Sequence, residues 1–358
     1  MNLPLIIRAI RWMIYDTFRQ SLATRLFWAM VILNLVIVVF CFSIKIRGDE
    51  MLPLAPGEIP MRLNLQKAIE LGHEKALPFG MVIHPIGVEW LSEPLGRIIA
   101  KKEGLDIFDT KVSLGFGLIE LPKSKDRVDA IRQIHVWLGG IVADTVGMFL
   151  VLIWTAGFLP SFLEPNHVTI LLAKPTPRWA LLLGKYLGVL FFVFLQSTIF
   201  VLGTWLALGL RSGVFDRLYL LTVPLLVIHF SIFYSFSVLL AVSTRNTVVC
   251  VLGSIVFFVL CWGLNYGRHA VVVLQIPGMS SVSKTMVEIA YWSLPKPGDM
   301  SLIVYDVLQA DSFSMKIPEF HELQKQGKFQ AELSLLSSFV FAAVMLLISA
   351  REFKKQDY

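Results

Sequence analysis

The polar residues that could do chemistry in this chain lie within long apolar segments. Asp144 is the only acidic residue well inside such a segment, and His229 and Gln196 lie in two others. A carboxylate at the centre of a bilayer costs on the order of 2.5–3.5 kcal/mol, so it usually faces protein or water. Three interpretations of Asp144 stay open: it lines a transport path, it bonds to a neighbouring helix, or it is hydrated near the membrane surface. His229 and Gln196 fit either a polar lumen or hydrogen bonds between helices.

The chain carries no recognisable catalytic or metal-binding motif. Gly184–Lys185 is followed by Tyr186, where a phosphate-binding loop needs Ser or Thr, and Trp179 stands where that loop needs its first glycine. There is no H-E-x-x-H segment, and Asp144 has no second carboxylate at its depth. We therefore expect no catalytic residue, no metal site and no cofactor in this chain. If its activity needs ATP, another polypeptide must hydrolyse it.

The composition is that of a membrane protein. Of the 358 residues 56% are hydrophobic and only 16% are charged, and several apolar runs exceed the roughly 18 residues that indicate a membrane-spanning helix. The pattern predicts an all-α polytopic protein with six transmembrane helices. The predicted spans are 26–44, 137–159, 180–208, 218–242, 247–264 and 333–350.

The net charge of +6 is distributed around the ends of the spans and does not form one basic stripe. This distribution argues against a nucleic-acid partner. Most of the basic residues fall in segments that share one side if the spans alternate, so the positive-inside rule predicts that both termini are cytoplasmic. The expected location is the cell (inner) membrane, with multiple passes, and residues 351–358 form a cytoplasmic tail.

Residues 1–25 are predicted to form an amphipathic helix. Ile6, Ile10 and Met13 fall on one side of it, and Arg8 and Arg11 fall on another. Such a helix can lie in the membrane interface and place its arginines among anionic lipid headgroups. The alternative is a basic tail that only fixes the topology.

Two long segments are predicted on the extracytoplasmic side. Residues 45–136 form a small α+β insertion, with helices near 61–71 and 93–103, a half-buried strand in KVSLGFGLIEL (111–121), and a helix that begins near Ser124 and continues into the second span. Residues 265–332 contain two short amphipathic stretches, 282–293 and 299–309, with Asp299 capping the second. Neither stretch is long enough to cross a bilayer, so each is either an interfacial or re-entrant helix or part of an ordinary surface loop.

Small residues predict where helices approach closely. Gly139, Ala143 and Gly147 are spaced by four around Asp144, and Gly184 and Gly188 form a GxxxG motif in the third span. We expect both sets to act in helix packing.

Residues 160–179 interrupt the apolar pattern between the second and third spans. A short apolar stretch is bracketed there by prolines and positive charge, which predicts a surface element on the cytoplasmic face. It is either a docking site for a soluble partner or a basic loop that only fixes the topology.

The chain resembles the permease subunits of type-2 ATP-binding-cassette exporters. The similarity rests on the basic N-terminal helix, the six spans, and two strings. LLAKPTPRWALLLGKYLG (171–188) resembles that family's cytoplasmic coupling segment, and YWSLPKPGD (291–299) lies where the family has short outer helices.

The resemblance implies a homo- or heterodimer of permeases in the lipid bilayer, seated on separate ATPase subunits that bind ATP and Mg²⁺. It also implies that the cytoplasmic segment docks on the ATPase. The residues concerned would be Leu163, Glu164, Pro165, Lys174, Pro175, Arg178 and Trp179.

The long first outer insertion departs from the simple members of this family and could bind an extracytoplasmic protein. The expected function is therefore the permease subunit of an ATP-driven transporter, an exporter by resemblance. The alternative is an ATP-independent membrane scaffold whose outer domain binds a protein partner. The two differ in whether residues 163–179 bind an ATPase.

Overall fold

The computed structural model describes residues 3–47, 110–114, 119–124, 127–163, 177–274, 280–308 and 329–356. The helices predicted near 61–71 and 93–103, and residues 164–176 of the cytoplasmic segment, lie outside this part of the chain.

Helices make up almost all of the described structure. A π-helix (Trp137–Gly147) joins α3 to α4, and a 3₁₀ helix (Arg217–Leu221) precedes α7. The α-helices in chain order are α1 (Leu3–Ala23), α2 (Arg25–Phe42), α3 (Arg127–Val136), α4 (Met148–Thr155), α5 (Phe158–Phe162), α6 (Arg178–Ser212), α7 (Thr222–Thr244), α8 (Thr247–Leu274), α9 (Ser281–Ser293), α10 (Pro297–Val307) and α11 (Ala331–Lys355).

Six helical runs in the described residues are long and apolar enough to cross a membrane, which confirms a multi-pass α-helical membrane protein. The fifth run extends beyond its predicted end at 264 because Asn265, Arg268 and His269 continue the helix and are buried within the protein. Spans 1 to 6 are Arg25–Phe42, Ala130–Phe162, Arg178–Ser212, Arg217–Thr244, Thr247–Val273 and Ala331–Lys355.

Local chemistry fixes several helix ends. The Thr24 side chain accepts a hydrogen bond from the backbone N–H of Phe27 and caps α2, and Asp216 caps the 3₁₀ helix in the same way. Gly213 ends α6 with a φ of 76°, in the left-handed region that glycine adopts without strain. Arg245 takes a similar conformation at the end of α7, and a tight connection leads into α8.

The described part of 45–136 includes a three-stranded antiparallel sheet. Its strands are β1 (Lys45–Arg47), β2 (Thr110–Leu114) and β3 (Ile119–Ser124), in the order β1–β2–β3. The prediction of a single strand over 111–121 is wrong. Val112 pairs with Leu121, so the chain reverses direction between the two halves of that run. The alternation of apolar residues was real, but it belongs to two paired strands.

The amphipathic helix α1 packs along span 3. Its face with Met13 and Thr17 is buried, whereas Arg8 and Arg11 are exposed. The GxxxG glycines of span 3 make this contact possible, since a Cβ atom added to Gly188 would lie 2.8 Å from the Cβ atom of Thr17. The GxxxG motif therefore packs against α1 and not against another span.

We expect Gly188→Ala to separate α1 from span 3. The added methyl group meets a β-branched side chain near the α1 backbone, and overpacking of this kind typically costs about 1–3 kcal/mol. Gly263→Ala is the matched control, because no described atom lies within 4 Å of a Cβ atom added to Gly263, which is also helical. Thermal unfolding in a mild detergent should show a lower midpoint for Gly188→Ala only. Equal midpoints for the two variants would contradict this packing.

The glycine stripe predicted around Asp144 forms only in part. This part of span 2 is a π-helix, in which each hydrogen bond joins residues five apart. Gly139 packs against Thr222 of α7, but a Cβ atom on Gly147 would meet only the carbonyl oxygen of Val142 in its own helix. Ala143 is half-buried.

Candidate functional site

A buried carboxylate, Asp299, joins the short helices α9 and α10 to the bundle. It lies in the first turn of α10 and is fully buried. Its Oδ1 atom accepts a hydrogen bond from Asn265 Nδ2 at 2.9 Å and lies 3.0 Å from His269 Nε2. Its Oδ2 atom accepts hydrogen bonds from Tyr291 and from Ser334, each at 2.6 Å. The two oxygens therefore bind groups from α8, α9 and α11.

The predicted capping role of Asp299 is wrong. The helix begins at Pro297 with Lys296 at the cap position, and the Asp299 side chain points to α8, not to its own backbone. Instead, the backbone N–H of Asp299 donates to Asn265 Oδ1 at 3.1 Å. Asn265 thus satisfies one free N–H of the first turn from outside, as a capping side chain would.

Hydrogen bonding decides the charge state of this carboxyl group. Burial by itself would raise the pKa of Asp299, but the hydrogen bond and charge of His269, with the hydrogen bonds from Asn265 and Ser334, lower it below its ordinary value. Burial and the neighbouring Asp299 carboxylate both raise the pKa of Tyr291. The pair is therefore an ionised carboxylate that accepts a hydrogen bond from a neutral phenol.

A second aspartate–histidine pair is buried between helices of the bundle. Asp144 Oδ1 lies 2.5 Å from His229 Nδ1, and Ser301 Oγ donates to Asp144 Oδ2 at 2.9 Å. Asp144 and His229 are both buried, and His229 Nε2 has no hydrogen-bond partner among the described residues. The three side chains come from the π-helix of span 2, from α7 and from α10. Asp144 is thus bonded to neighbouring helices, as one of its three interpretations required.

Two basic side chains, Lys296 and Arg268, lie next to the Asp299 cluster. Lys296 is buried, and its Nζ atom donates to Ser337 Oγ at 2.5 Å and to the carbonyl oxygen of Leu294 at 3.3 Å. It also lies 4.8 Å from the centre of the Tyr291 ring. Arg268 covers the same ring at 4.5 Å and forms an ion pair with Glu288 at 3.1 Å. The phenol is therefore held between two cations and the carboxylate of Asp299.

Lys296 should make the stability depend on pH. Burial lowers its pKa from 10.5 to about 8; the nearby Asp299 opposes this change and Arg268 adds to it. Between these two pKa values the unfolded chain binds more protons than the folded one, so stability should rise as the pH increases from 8 to 10.5, by at most about 3 kcal/mol. Unfolding midpoints of the wild type and of Lys296→Met across this range would test this. A Lys296→Met variant with the same rise would contradict it.

Gln196 lies apart from these clusters. Its backbone carbonyl accepts a hydrogen bond from Asn34 Nδ2 at 3.5 Å, which joins spans 1 and 3. Its side-chain amide is buried and has no partner among the described residues. The structure therefore brings Asp144 and His229 together and leaves Gln196 elsewhere.

Of the predicted coupling residues, Leu163, Arg178 and Trp179 are described. Leu163 is buried in the core, and Trp179 is exposed. Arg178 Nη1 donates to the carbonyl oxygens of Phe353, Lys354 and Gln356, so it caps the end of α11. Glu164, Pro165, Lys174 and Pro175 lie outside the described residues.

The described basic segments meet at one end of the bundle. Gln356 accepts hydrogen bonds from Arg178 and from Arg245, and its own amide donates to the carbonyl oxygen of Val242. The connection from span 4 to span 5, the start of span 3 and the C-terminal tail are therefore in direct contact.

Sequence reasoning missed the Asp299 network. Its members are spread over α8, α9, α10 and α11, and none of them belongs to a recognisable sequence motif within its own segment. One signal was available: Asn265 and His269 are spaced by four at the end of a long apolar helix and would share a face.

Compared with known proteins, the chain matches no protein-family model, and no curated protein is similar to it.

Proposed function

We propose that this protein is the permease subunit of an ATP-driven transporter of the type-2 ATP-binding-cassette kind, an exporter by resemblance. A separate ATPase subunit, with ATP and Mg²⁺, would drive it through residues 163–179. The protein would work as a homo- or heterodimer in the cell (inner) membrane. The short strings at 171–188 and 291–299 and the six-span architecture support the proposal.

The observation that carries the proposal is how the two ends of the cytoplasmic segment are anchored. Leu163, before the segment, is buried in the core, and Arg178, after it, binds the last carbonyl groups of span 6. A displacement of the segment would therefore be passed directly to spans 2, 3 and 6. A loop that only fixes topology needs no such anchoring.

A buried lysine extends this connection to α1. Lys185 Nζ donates to Gln20 Oε1 at 2.6 Å and lies 3.9 Å from Asp16 Oδ2. The same nitrogen lies 5.6 Å from the centre of the Phe162 ring, immediately before the segment. Helix α1, the end of span 2 and the start of span 3 would thus respond together to the ATPase.

The contact between Arg178, Arg245 and the C-terminal tail supports the proposed orientation. Arg351, Lys354 and Lys355 belong to the same end of the bundle, because they form the last turns of α11. By the positive-inside rule this end would face the cytoplasm, where an ATPase could reach it.

Lys174→Glu should abolish ATPase association. Arg178 is unsuitable for this test because it also caps α11. Lys284→Glu on the exposed surface of α9 is the matched control. After purification in a mild detergent, we expect an ATP-hydrolysing subunit in equal amount with the wild type and with Lys284→Glu, and a loss of at least tenfold with Lys174→Glu.

If no ATP-hydrolysing protein accompanies the wild type, the proposal fails, and the scaffold with a protein-binding outer domain is favoured. If the ATPase remains bound to a folded Lys174→Glu variant, coupling does not depend on this charge, and the proposed docking segment is wrong.

A further inference from the structure

A buried histidine, His135, lies where the three-stranded sheet joins the helical bundle. It belongs to the last turn of α3 and has no solvent exposure. Helix α3 packs on strands β2 and β3 and on span 3. Two further residues of α3, Ile131 and Ile134, belong to an apolar cluster that includes Tyr219 and residues of span 3. His135 is therefore part of the contact that connects the sheet to the membrane helices.

The imidazole of His135 has an aromatic neighbour but no hydrogen-bond partner among the described residues. Its ring stacks on the ring of Tyr219, with 4.0 Å between the centres and 9° between the planes. Neither ring nitrogen forms a hydrogen bond with the described part of the chain. The hydroxyl group of Tyr219 is already engaged with Thr204, whose Oγ1 atom lies 3.0 Å away. The site therefore offers a stacking surface for a flat ring but no acceptor for an N–H group.

Two charged groups of the described part of the chain flank His135, and they are paired with each other. Asp216 is the carboxylate whose charge acts on His135. Its Oδ2 atom lies 3.3 Å from Arg132 Nε, and its Oδ1 atom accepts a hydrogen bond from the backbone N–H of Leu218 at 3.1 Å. Arg132 precedes His135 by three residues in α3, so it would repel a charged imidazole. The thiol of Cys41 in span 1 is a further titratable group that acts on the neighbouring phenol.

A proton on His135 would create a buried charge without an acceptor. Burying an unpaired ion costs more than the contact of a cation with one aromatic ring returns. A pair with Asp216 would require that Arg132 or the N–H of Leu218 give up its acceptor. An opened α3 exposes the imidazole to water, where histidine binds a proton below about pH 6.5. Carboxylates, thiols and phenols ordinarily titrate near about 4, 8.5 and 10, so His135 is the group of this site that responds between pH 5.5 and 7.5.

We propose that His135 is a pH-sensitive switch in the attachment of α3 to the bundle: when its imidazole binds a proton, α3 separates from Tyr219 and span 3. Strands β2 and β3 would move with α3, on which they pack. His135 and residues 163–179 lie at opposite ends of span 2. In the proposed orientation this end faces away from the cytoplasm, so acid on that side would be the signal. The switch needs no ATPase partner. Lys174→Glu should therefore leave it unchanged, and the two proposals can fail separately.

Hydrogen–deuterium exchange of the purified full-length protein at pH 7.5 and 5.5, corrected for the intrinsic exchange rates, tests the proposal. Since only the open form binds the proton, the opening equilibrium of residues 127–136 should rise about tenfold at pH 5.5, one unit below the usual histidine pKa. Residues 247–262 of span 5 should not change. His135→Phe keeps a flat ring beside Tyr219 and cannot bind a proton, so its exchange should be equal at both pH values. His321→Phe, which removes a histidine from another segment, should keep the rise.

Three results would overturn the proposal: equal exchange of residues 127–136 at both pH values in the wild type, the same rise in His135→Phe, or slower exchange at pH 5.5. The last result would mean that Tyr219 and Asp216 bind the charged imidazole. If His135→Phe does not fold, His135→Gln is also uncharged at both pH values and takes its place. The wild type alone gives a second test. A rise confined to 127–136 and the residues packed on it supports the switch, and an equal rise in span 5 rejects it.

Discussion

Replacing Asp299 by alanine should destabilise the protein by about 4 kcal/mol, one of the two largest effects that we expect. The carboxylate is fully buried and binds Asn265, His269, Tyr291 and Ser334. Each of these groups would lose its contact with the carboxylate, and a buried donor that is left without an acceptor costs about 1–3 kcal/mol. Such costs are not additive within one network, so the total should be lower than their sum.

Thermal unfolding in a mild detergent, followed as the monodisperse fraction, measures this effect. Glu332→Ala is the matched control, because it removes an exposed carboxylate near the same cluster, in the first turn of α11. Asp299→Asn should fall between the wild type and Asp299→Ala, since the amide can still accept hydrogen bonds on its oxygen. If Asp299→Ala is no less stable than Glu332→Ala, Asp299 does not anchor the α9–α10 pair.

Much of the architecture could be predicted from the sequence because membrane insertion imposes simple rules. A helix that crosses hydrocarbon must be long and apolar, so the six spans were visible as runs of residues. The short stretches 282–293 and 299–309 correspond to α9 and α10 within two residues at each end. α10 begins at Pro297, two residues before the predicted start, and proline is common at the first position of a helix.

The packing around Asp144 could not be predicted because it depends on a π-helix. Apolar periodicity does not distinguish a π-helix from an α-helix over so short a stretch, and the glycine spacing does not show that Gly139 contacts α7 whereas Gly147 contacts only its own helix. The same limit applies to the sheet. The alternation of residues over 111–121 is compatible with one strand or with two paired strands, and only long-range pairing decides between them.

Only some residues of the candidate site could be recognised from the sequence. Asp144 and His229 stood out because polar groups are rare in apolar spans, but the sequence did not show that they touch, since they are 85 residues apart. Asp299 was missed because it follows a proline and a glycine and looks like a surface cap. In the structure α10 carries both Asp299 and Ser301, so one short helix joins the two aspartate–histidine pairs.

The two pairs differ in how fully they are bonded. Both oxygens of Asp299 are occupied by two groups each, which suits an anchor that does not change. Asp144 binds His229 and Ser301, and the far nitrogen of His229 has no partner among the described residues. The Asp144–His229 pair is therefore the better candidate for a functional role within the bundle.

The second prediction separates packing from function at Asp144 and His229. Asp144→Leu should cost about 3–5 kcal/mol because His229 stays buried without its acceptor, and His229→Leu should cost a similar amount because a carboxylate stays buried without its donor. The double variant should be closer to the wild type than either single variant, since apolar residues often replace a buried ion pair at little cost. Ser301 can turn to the carbonyl oxygen of Pro297, which lies 3.5 Å from its hydroxyl oxygen.

Unfolding midpoints of the four proteins form a double-mutant cycle, and the coupling energy should reach about 2 kcal/mol or more. The stimulation of the proposed ATPase partner by the four proteins, assayed in parallel, gives the functional comparison. If the pair only packs helices, the double variant should regain both stability and ATPase stimulation. If the pair also lines the transport path, the double variant should regain stability while the stimulation remains lost, because leucine cannot replace a group that must meet a polar cargo. Additive stability losses would show that Asp144 and His229 do not act as a pair.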